Sequence, residues 1–230
     1  MGNCVSDDKS LKDFGIRYFR SLFEDEHLTN LEDQLKIIRL FLSFINPEKI
    51  EAFTNLVTIL EVEKALNLFK KDKVPGPDGW PVEFYLTFFD ILGPILVKVV
   101  EASRISGRVS HDLNSTFLTL IPKVDMHVSF TYFHPISLCN LCYKIISKVA
   151  AMILKPFLDD FISPQQFGFF LNRQILEPIA ISQEVLHTVN SRKRCALILK
   201  LDLSKAFDRV NWTFIRLILI QIGIPLVGVN

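Results

Sequence analysis

The sequence predicts an α+β fold, and three observations carry the prediction. Residues 10–55 repeat apolar side chains at helical spacing. Thr116-Phe117-Leu118-Thr119-Leu120-Ile121 is rich in β-branched and aromatic residues and stops at Pro122. Cys195-Ala196-Leu197-Ile198-Leu199-Lys200-Leu201 is an apolar run that ends on Asp202 and is followed by a further helical segment.

Taken in order, Phe14, Tyr18, Phe19, Leu22 and Phe23 share one helical face, as do Leu35, Ile38, Leu42 and Ile45, until Pro47 interrupts. A further helix fits Val62 to Phe69 and leads into Lys70-Lys71-Asp72-Lys73. Val74-Pro75-Gly76-Pro77-Asp78-Gly79 excludes helix and central strand, because proline lacks an amide donor and glycine weakens both, so it is a shaped loop. Val82 to Ile105 reads as helix with a bend expected at Gly93-Pro94. After the strand at 116–121, Tyr132 to Leu138 reads as extended. Asn140 to Leu158 reads as a long helix, 159–173 mostly as loop, and Leu176 to Val189 as helix. The run 195–202 is expected to be a buried strand that delivers a carboxylate at its end. Asn211 is placed to cap a last helix, Trp212 to Ile222, with Gly223 as its stop. These elements divide the chain into 1–55, 56–194 and 195–230.

The bulk numbers restrict the function classes only loosely. The chain has 230 residues, 49% hydrophobic and 22% charged, with a formal net charge of +1, so composition carries no footprint of nucleic-acid binding. The charge runs Lys70-Lys71-Asp72-Lys73 and Arg192-Lys193-Arg194 read first as solvated faces and second as contacts to nucleic-acid backbone. Four cysteines do not make a disulfide framework, and Cys139-Asn140-Leu141-Cys142 lacks the second pair that a structural zinc site needs. Asp7, Asp8 and Lys9 precede any apolar run, so no secretory leader is read and an intracellular location, nucleus or cytoplasm, is expected. The apolar stretches 91–100 and 214–229 are too short or too interrupted to span a bilayer, which takes about 20 apolar residues.

Asp202 is the chemically loaded position. A carboxylate after a buried apolar run is costly unless something compensates it, and a divalent cation with hard-oxygen preference does so. By local chemistry alone, however, a strand-ending aspartate more often caps the next turn.

A resemblance adds what local chemistry lacks. Asp202-Leu203-Ser204-Lys205-Ala206-Phe207-Asp208-Arg209-Val210 resembles the first palm motif of reverse transcriptases from plant non-LTR (LINE-type) retrotransposons. Upstream, and in that family's order, Lys73-Val74-Pro75-Gly76-Pro77-Asp78-Gly79 is similar to its proline–glycine loop, and Leu118-Thr119-Leu120-Ile121-Pro122-Lys123 to its first fingers strand. Pro135-Ile136-Ser137-Leu138-Cys139-Asn140 with Tyr143-Lys144-Ile145-Ile146 resembles the next block. Ile162-Ser163-Pro164-Gln165-Gln166-Phe167-Gly168-Phe169 with Arg173-Gln174-Ile175 resembles the one after. Each block is weak alone; the ordered set is specific.

The resemblance implies a truncated right-hand polymerase: a helical region over 1–55, fingers over 56–194, and the first strand and helix of a palm over 195–230. It implies RNA-templated DNA synthesis with RNA template, DNA primer and deoxynucleotide as partners, and two Mg2+ ions as cofactors. Asp202 is then the catalytic aspartate and metal ligand, with the Leu203 carbonyl assisting. Phe207 matches the steric gate beneath the incoming sugar, or else a core aromatic. Lys123 matches the lysine that meets the triphosphate. His134 stands where the family usually has arginine, and histidine, shorter and mostly neutral, is expected to weaken nucleotide binding. Arg173 is a template contact or a plain surface arginine. The family's second carboxylate pair is not in these 230 residues, so the chain by itself is expected to lack polymerase activity and to bind nucleic acid weakly or not at all.

A rival reading comes from the first residues. Met1-Gly2-Asn3-Cys4-Val5-Ser6 fits an acylation pattern, with Gly2 for myristoylation and Cys4 for a second chain. It makes the chain a lipid-anchored or nucleic-acid-binding remnant without catalysis. Short patterns of this kind arise by chance, and no membrane association is expected.

Overall fold

The structure is a computed structural model that describes residues 7–23, 30–43, 45, 50–125, 129–159, 161–168, 170, 173–202 and 210–225. Its helices are α1 (Asp8–Phe23), α2 (Leu31–Ile38), α3 (Glu51–Thr54), α4 (Ile59–Asn67), α5 (Val82–Thr87), α6 (Phe89–Ser106), α7 (Leu141–Asp159), α8 (Leu176–Ser191) and α9 (Trp212–Gln221). Two strands, β1 (Thr116–Pro122) and β2 (Phe133–Cys139), pair antiparallel with Phe117 opposite Leu138 and Ile121 opposite His134. The mixed helix-and-strand class is therefore as expected.

The chain forms two compact units, residues 1–153 with 207–230, and residues 154–206. In the first, α4, α5, α6 and the front of α7 enclose the core. Val62, Ala65, Leu66 and Ile145 are completely buried, joined by Val57, Val82, Tyr85, Leu96, Val100, Leu141 and Val149. Local sequence explains the starts and stops. Thr58 and Glu61 form a reciprocal capping box, with the Thr58 amide donating to Glu61 Oε2 at 2.8 Å and the Glu61 amide to Thr58 Oγ1 at 3.3 Å. This box starts α4 three residues before the expected Val62, and the Thr-x-x-Glu spacing was its signal. Gly107, at φ 64°, closes α6 in the left-handed conformation.

The helix expected over 82–105 is two helices. The break lies at Phe88 and not at Gly93-Pro94. Pro94 sits in the second turn of α6, and Gly93 is buried where a side chain would press on the Phe89 ring and Ile59 Cδ1 at 3.1–3.3 Å. The glycine thus serves close packing of α4 against α6, not a bend.

On the same unit, Tyr18 and Phe19 of α1 pack on Phe130, with ring centroids 5.9 Å apart in both pairs. Asn211 caps α9 by accepting from the Phe214 amide at 2.8 Å. The Ile45 amide donates to the Ile222 carbonyl at 3.1 Å, and Gln221 Nε2 donates to the Phe41 carbonyl at 3.0 Å. These bonds tie the end of α9 to the segment after α2.

In the second unit α8 has no buried residue, and Ile179, Ile181, Val185 and Leu186 are all exposed. The expected buried strand at 195–202 is not formed. This stretch is irregular and exposed throughout, with Leu197 at 94% and Leu201 at 80%. The physical reason is the lack of a neighbour: strand stability comes from cross-strand pairs, and the only sheet among the described residues is the β1–β2 ribbon. No helix among the described residues is long and apolar enough to cross a membrane.

Candidate nucleic-acid interface

The proline–glycine loop is the best-built feature of the first unit. Gly76 lies flat on the β2–α7 junction, where a Cβ would fall 2.6 Å from the Cys139 carbonyl oxygen, so only glycine allows this approach. The Gly79 amide donates to the Gly76 carbonyl at 3.0 Å, and the Trp80 amide donates to Asp78 Oδ1 at 3.2 Å, which turns the chain into α5. Asn140, 4% exposed, holds the loop from below. Its Oδ1 accepts from the Asp78 amide and its Nδ2 donates to the Asp112 carbonyl, both at 3.0 Å. The Asp72 amide donates to Glu83 Oε1 at 2.6 Å and keeps that carboxyl below its ordinary range. Sequence reasoning gave Asn140 no role, although it sits in a quoted motif; a polar residue between an apolar strand and an apolar helix was the available sign.

A pocket of about 230 Å3 opens beside this loop. Lys70, Lys73 and Lys144 line it with Trp80, Pro75 and Gly76, and no carboxylate does. The indole of Trp80 is braced by Phe84, with centroids 4.2 Å apart and planes at 27°, and remains 48% exposed.

Lys123 and His134 share one face of the β1–β2 ribbon. The Lys123 amide donates to the Tyr132 carbonyl at 2.8 Å and extends the ladder one step past Pro122. The period of two then puts Lys123 on the face of Ile121 and its partner His134. Both side chains are exposed.

In the second unit Arg173 folds onto its own loop. Its Nη1 donates to the Ser163 and Gln166 carbonyls, both at 2.7 Å, its Nη2 donates to the Ile162 carbonyl at 3.1 Å, and the guanidinium lies 4.7 Å over the Phe170 ring. Asp202 is exposed on irregular backbone. Leu203, Phe207, Gly2 and Cys4 lie outside the described residues. Among the described residues no three histidine, cysteine, aspartate or glutamate side chains converge. Asp202 alone is too little for a two-ion site, since Mg2+ holds several oxygen ligands in octahedral geometry.

The two cysteines of the Cys-x-x-Cys pair serve different neighbours. Thr116 Oγ1 donates to Cys139 Sγ, and Cys142 Sγ lies 3.4 Å from the Tyr85 hydroxyl. Burial pushes the Cys142 thiol up, which fits an unreactive core thiol.

Two comparisons bear on this geometry. Residues 121–227 match the family described as reverse transcriptase (RNA-dependent DNA polymerase). Over 214 residues, 93% of this chain, the sequence is 27% identical to the transposon TX1 uncharacterized 149 kDa protein of Xenopus laevis. The chain spans 16% of that relative's length. The matched segment contains the β1–β2 ribbon positions Lys123 and His134, the Arg173 loop and the Asp202 motif, so the similarity to reverse transcriptases and to a transposon protein takes in these positions.

Proposed function

We propose that the chain is the fingers and first palm portion of an RNA-directed DNA polymerase from a LINE-type, non-LTR retrotransposon of a plant. The observation that carries the reading is the family match over residues 121–227, which encloses the Asp202-to-Val210 motif. In the complete polymerase a primer hydroxyl attacks a deoxynucleotide on an RNA template, by positioning and charge neutralisation. This chain's share is specific. Lys123 and His134, on one face of the ribbon, meet the triphosphate. Phe207 gates the sugar. Asp202, with the Leu203 carbonyl, is one part of the ligand set for Mg2+. Arg173 reaches the template only through the loop that its guanidinium holds together. The protein works inside the cell, with 1–55 as a helical lead-in, 56–194 as fingers and 195–230 as palm.

The 230-residue chain alone is expected not to extend a primer. The test is a chimera in which it replaces the matching portion of an active reverse transcriptase, assayed by primer extension on an RNA template. Extension by the chimera, and its loss in Asp202→Asn, are expected. Full extension by Asp202→Asn, or extension by the isolated chain, would overturn the reading.

A further inference from the structure

We infer that the pocket beside the proline–glycine loop binds a nucleotide unit, its phosphate among Lys70, Lys73 and Lys144 and its base on Trp80. The inference goes beyond the polymerase reading and stands on the pocket itself, most of which lies upstream of residues 121–227. Three lysines line one cavity with no carboxylate in its lining. Three cationic residues around a cavity without a counter-charge in its lining favour an anion there, and lysine suits phosphate as a point charge. Gly76 also lines the cavity, and its missing side chain lets the loop backbone rest on that of Cys139 and Asn140. The loop is held on both sides, by Asn140 below and by the Asp72–Glu83 bond at its root, so the lysines sit on a pre-organised rim.

Trp80 narrows the anion to one that carries a ring. Its indole is stacked on Phe84 and still half exposed, so a base can stack without first ordering the side chain. Base–aromatic stacking beside a cationic groove is how proteins hold single strands irrespective of sequence. The cavity, about 230 Å3, is of the size of one nucleotide unit and excludes a duplex. A net charge of only +1 conceals this site, because the three lysines are offset by acidic residues elsewhere.

A free nucleotide and a unit within a single strand present the same chemistry. The test uses the full chain and a fluorescein-labelled ten-nucleotide oligo(U), read by anisotropy across a salt series, with AMP and inorganic phosphate as competitors. Saturable binding is expected. The triple change Lys70→Gln, Lys73→Gln, Lys144→Gln should weaken it at least tenfold and flatten the log–log salt slope by about 0.7, the value for one phosphate contact. Trp80→Ala should weaken it about tenfold and leave the slope unchanged. Competition by AMP at concentrations below those of phosphate identifies a free-nucleotide site, and the reverse preference for oligomer identifies a strand site; both support the inference. Absence of binding, an unchanged affinity and slope in the triple variant with a native melting curve, or equal competition by phosphate and AMP with normal binding by Trp80→Ala would each overturn it. Such a failure leaves primer extension by the chimera untouched, so the two readings fail separately.

Discussion

Glu101→Gln is the substitution that most directly tests how the first unit is held together. Glu101 and Arg104, one turn apart on α6, form an ion pair at 2.8 Å with side chains only 13% and 17% exposed. Glu101 Oε1 also accepts from the Val57 amide, and Arg104 Nη1 donates to the Phe53 carbonyl at 3.3 Å. The pair therefore staples the α3–α4 connection to the back of α6, beside Val57 and Val100 of the core. Glutamine keeps the shape and one acceptor for Val57 but loses the charge. Hydrogen bonds to charged groups contribute about 1.5–3 kcal/mol, and stranding one partner of a buried pair costs about 3–5 kcal/mol. Arg104 keeps its bond to Phe53 and some solvent, which places the loss near the lower figure, about 2–3 kcal/mol. At about 2–4 °C per kcal/mol for a chain of this size, the melting temperature should fall by about 4–12 °C. The acid limb gives the sign. Burial opposes ionisation of Glu101, but Arg104 and the Val57 amide outweigh it and hold the carboxyl below its ordinary 4.5. Its folded value is depressed, so its contribution is present above pH 4.5 and is lost as pH falls through the folded value. The difference between wild type and Glu101→Gln, followed by helical circular dichroism, should be full at pH 7 and shrink below pH 4.5. A melting temperature within 1 °C of wild type at pH 7, or a difference that persists unchanged into acid, would refute the staple.

Three further outcomes follow from the same geometry. Gly76→Ala drives a methyl into the backbone of Cys139 and Asn140 and should cost about 2–3 kcal/mol in urea denaturation, whereas Gly168→Ala, with only Gln166 Nε2 at 3.8 Å, should stay within about 0.5 kcal/mol. Arg173→Lys keeps the charge but loses the planar fork that reaches three carbonyls and stacks on Phe170, so the amides of 161–168 should exchange at least tenfold faster in hydrogen-exchange mass spectrometry, with α6 unaffected. His134→Arg in the chimeric polymerase should lower the nucleotide KM severalfold, because arginine restores an always-charged donor on the Lys123 face of the ribbon; an unchanged KM counts against that placement.

Local signals were legible where the residues involved are neighbours in sequence. The extended character of β1 and β2, α7, α8 and the Asn211 cap were readable because each is written in the spacing, capping and termination of a few adjacent residues. The ordered motifs were legible for the same reason, since a motif is a local string whose order along the chain needs no geometry. The break at Phe88 was misread because Gly93-Pro94 looks like a hinge in isolation, while the glycine is in fact filled by Ile59 from another helix. The run 195–202 was misread because its apolar residues specify a strand only when a sheet receives them, and β1 and β2 pair with each other.

The sequence by itself thus determined the class of fold, the elements whose caps and periods are local, and the similarity to reverse transcriptases over the segment that holds the Asp202 motif. Tertiary structure alone decided that Arg173 is occupied by its own loop, that Asn140 suspends the proline–glycine turn, and that Lys70, Lys73 and Lys144 share a cavity with Trp80. Lys144 is more than 60 positions from Trp80 in the chain, and a charge has no partner until the backbone brings one within a few ångströms. The Asp202 carboxylate sits exposed on irregular backbone, and a two-ion site requires ligands that the described residues do not bring to it.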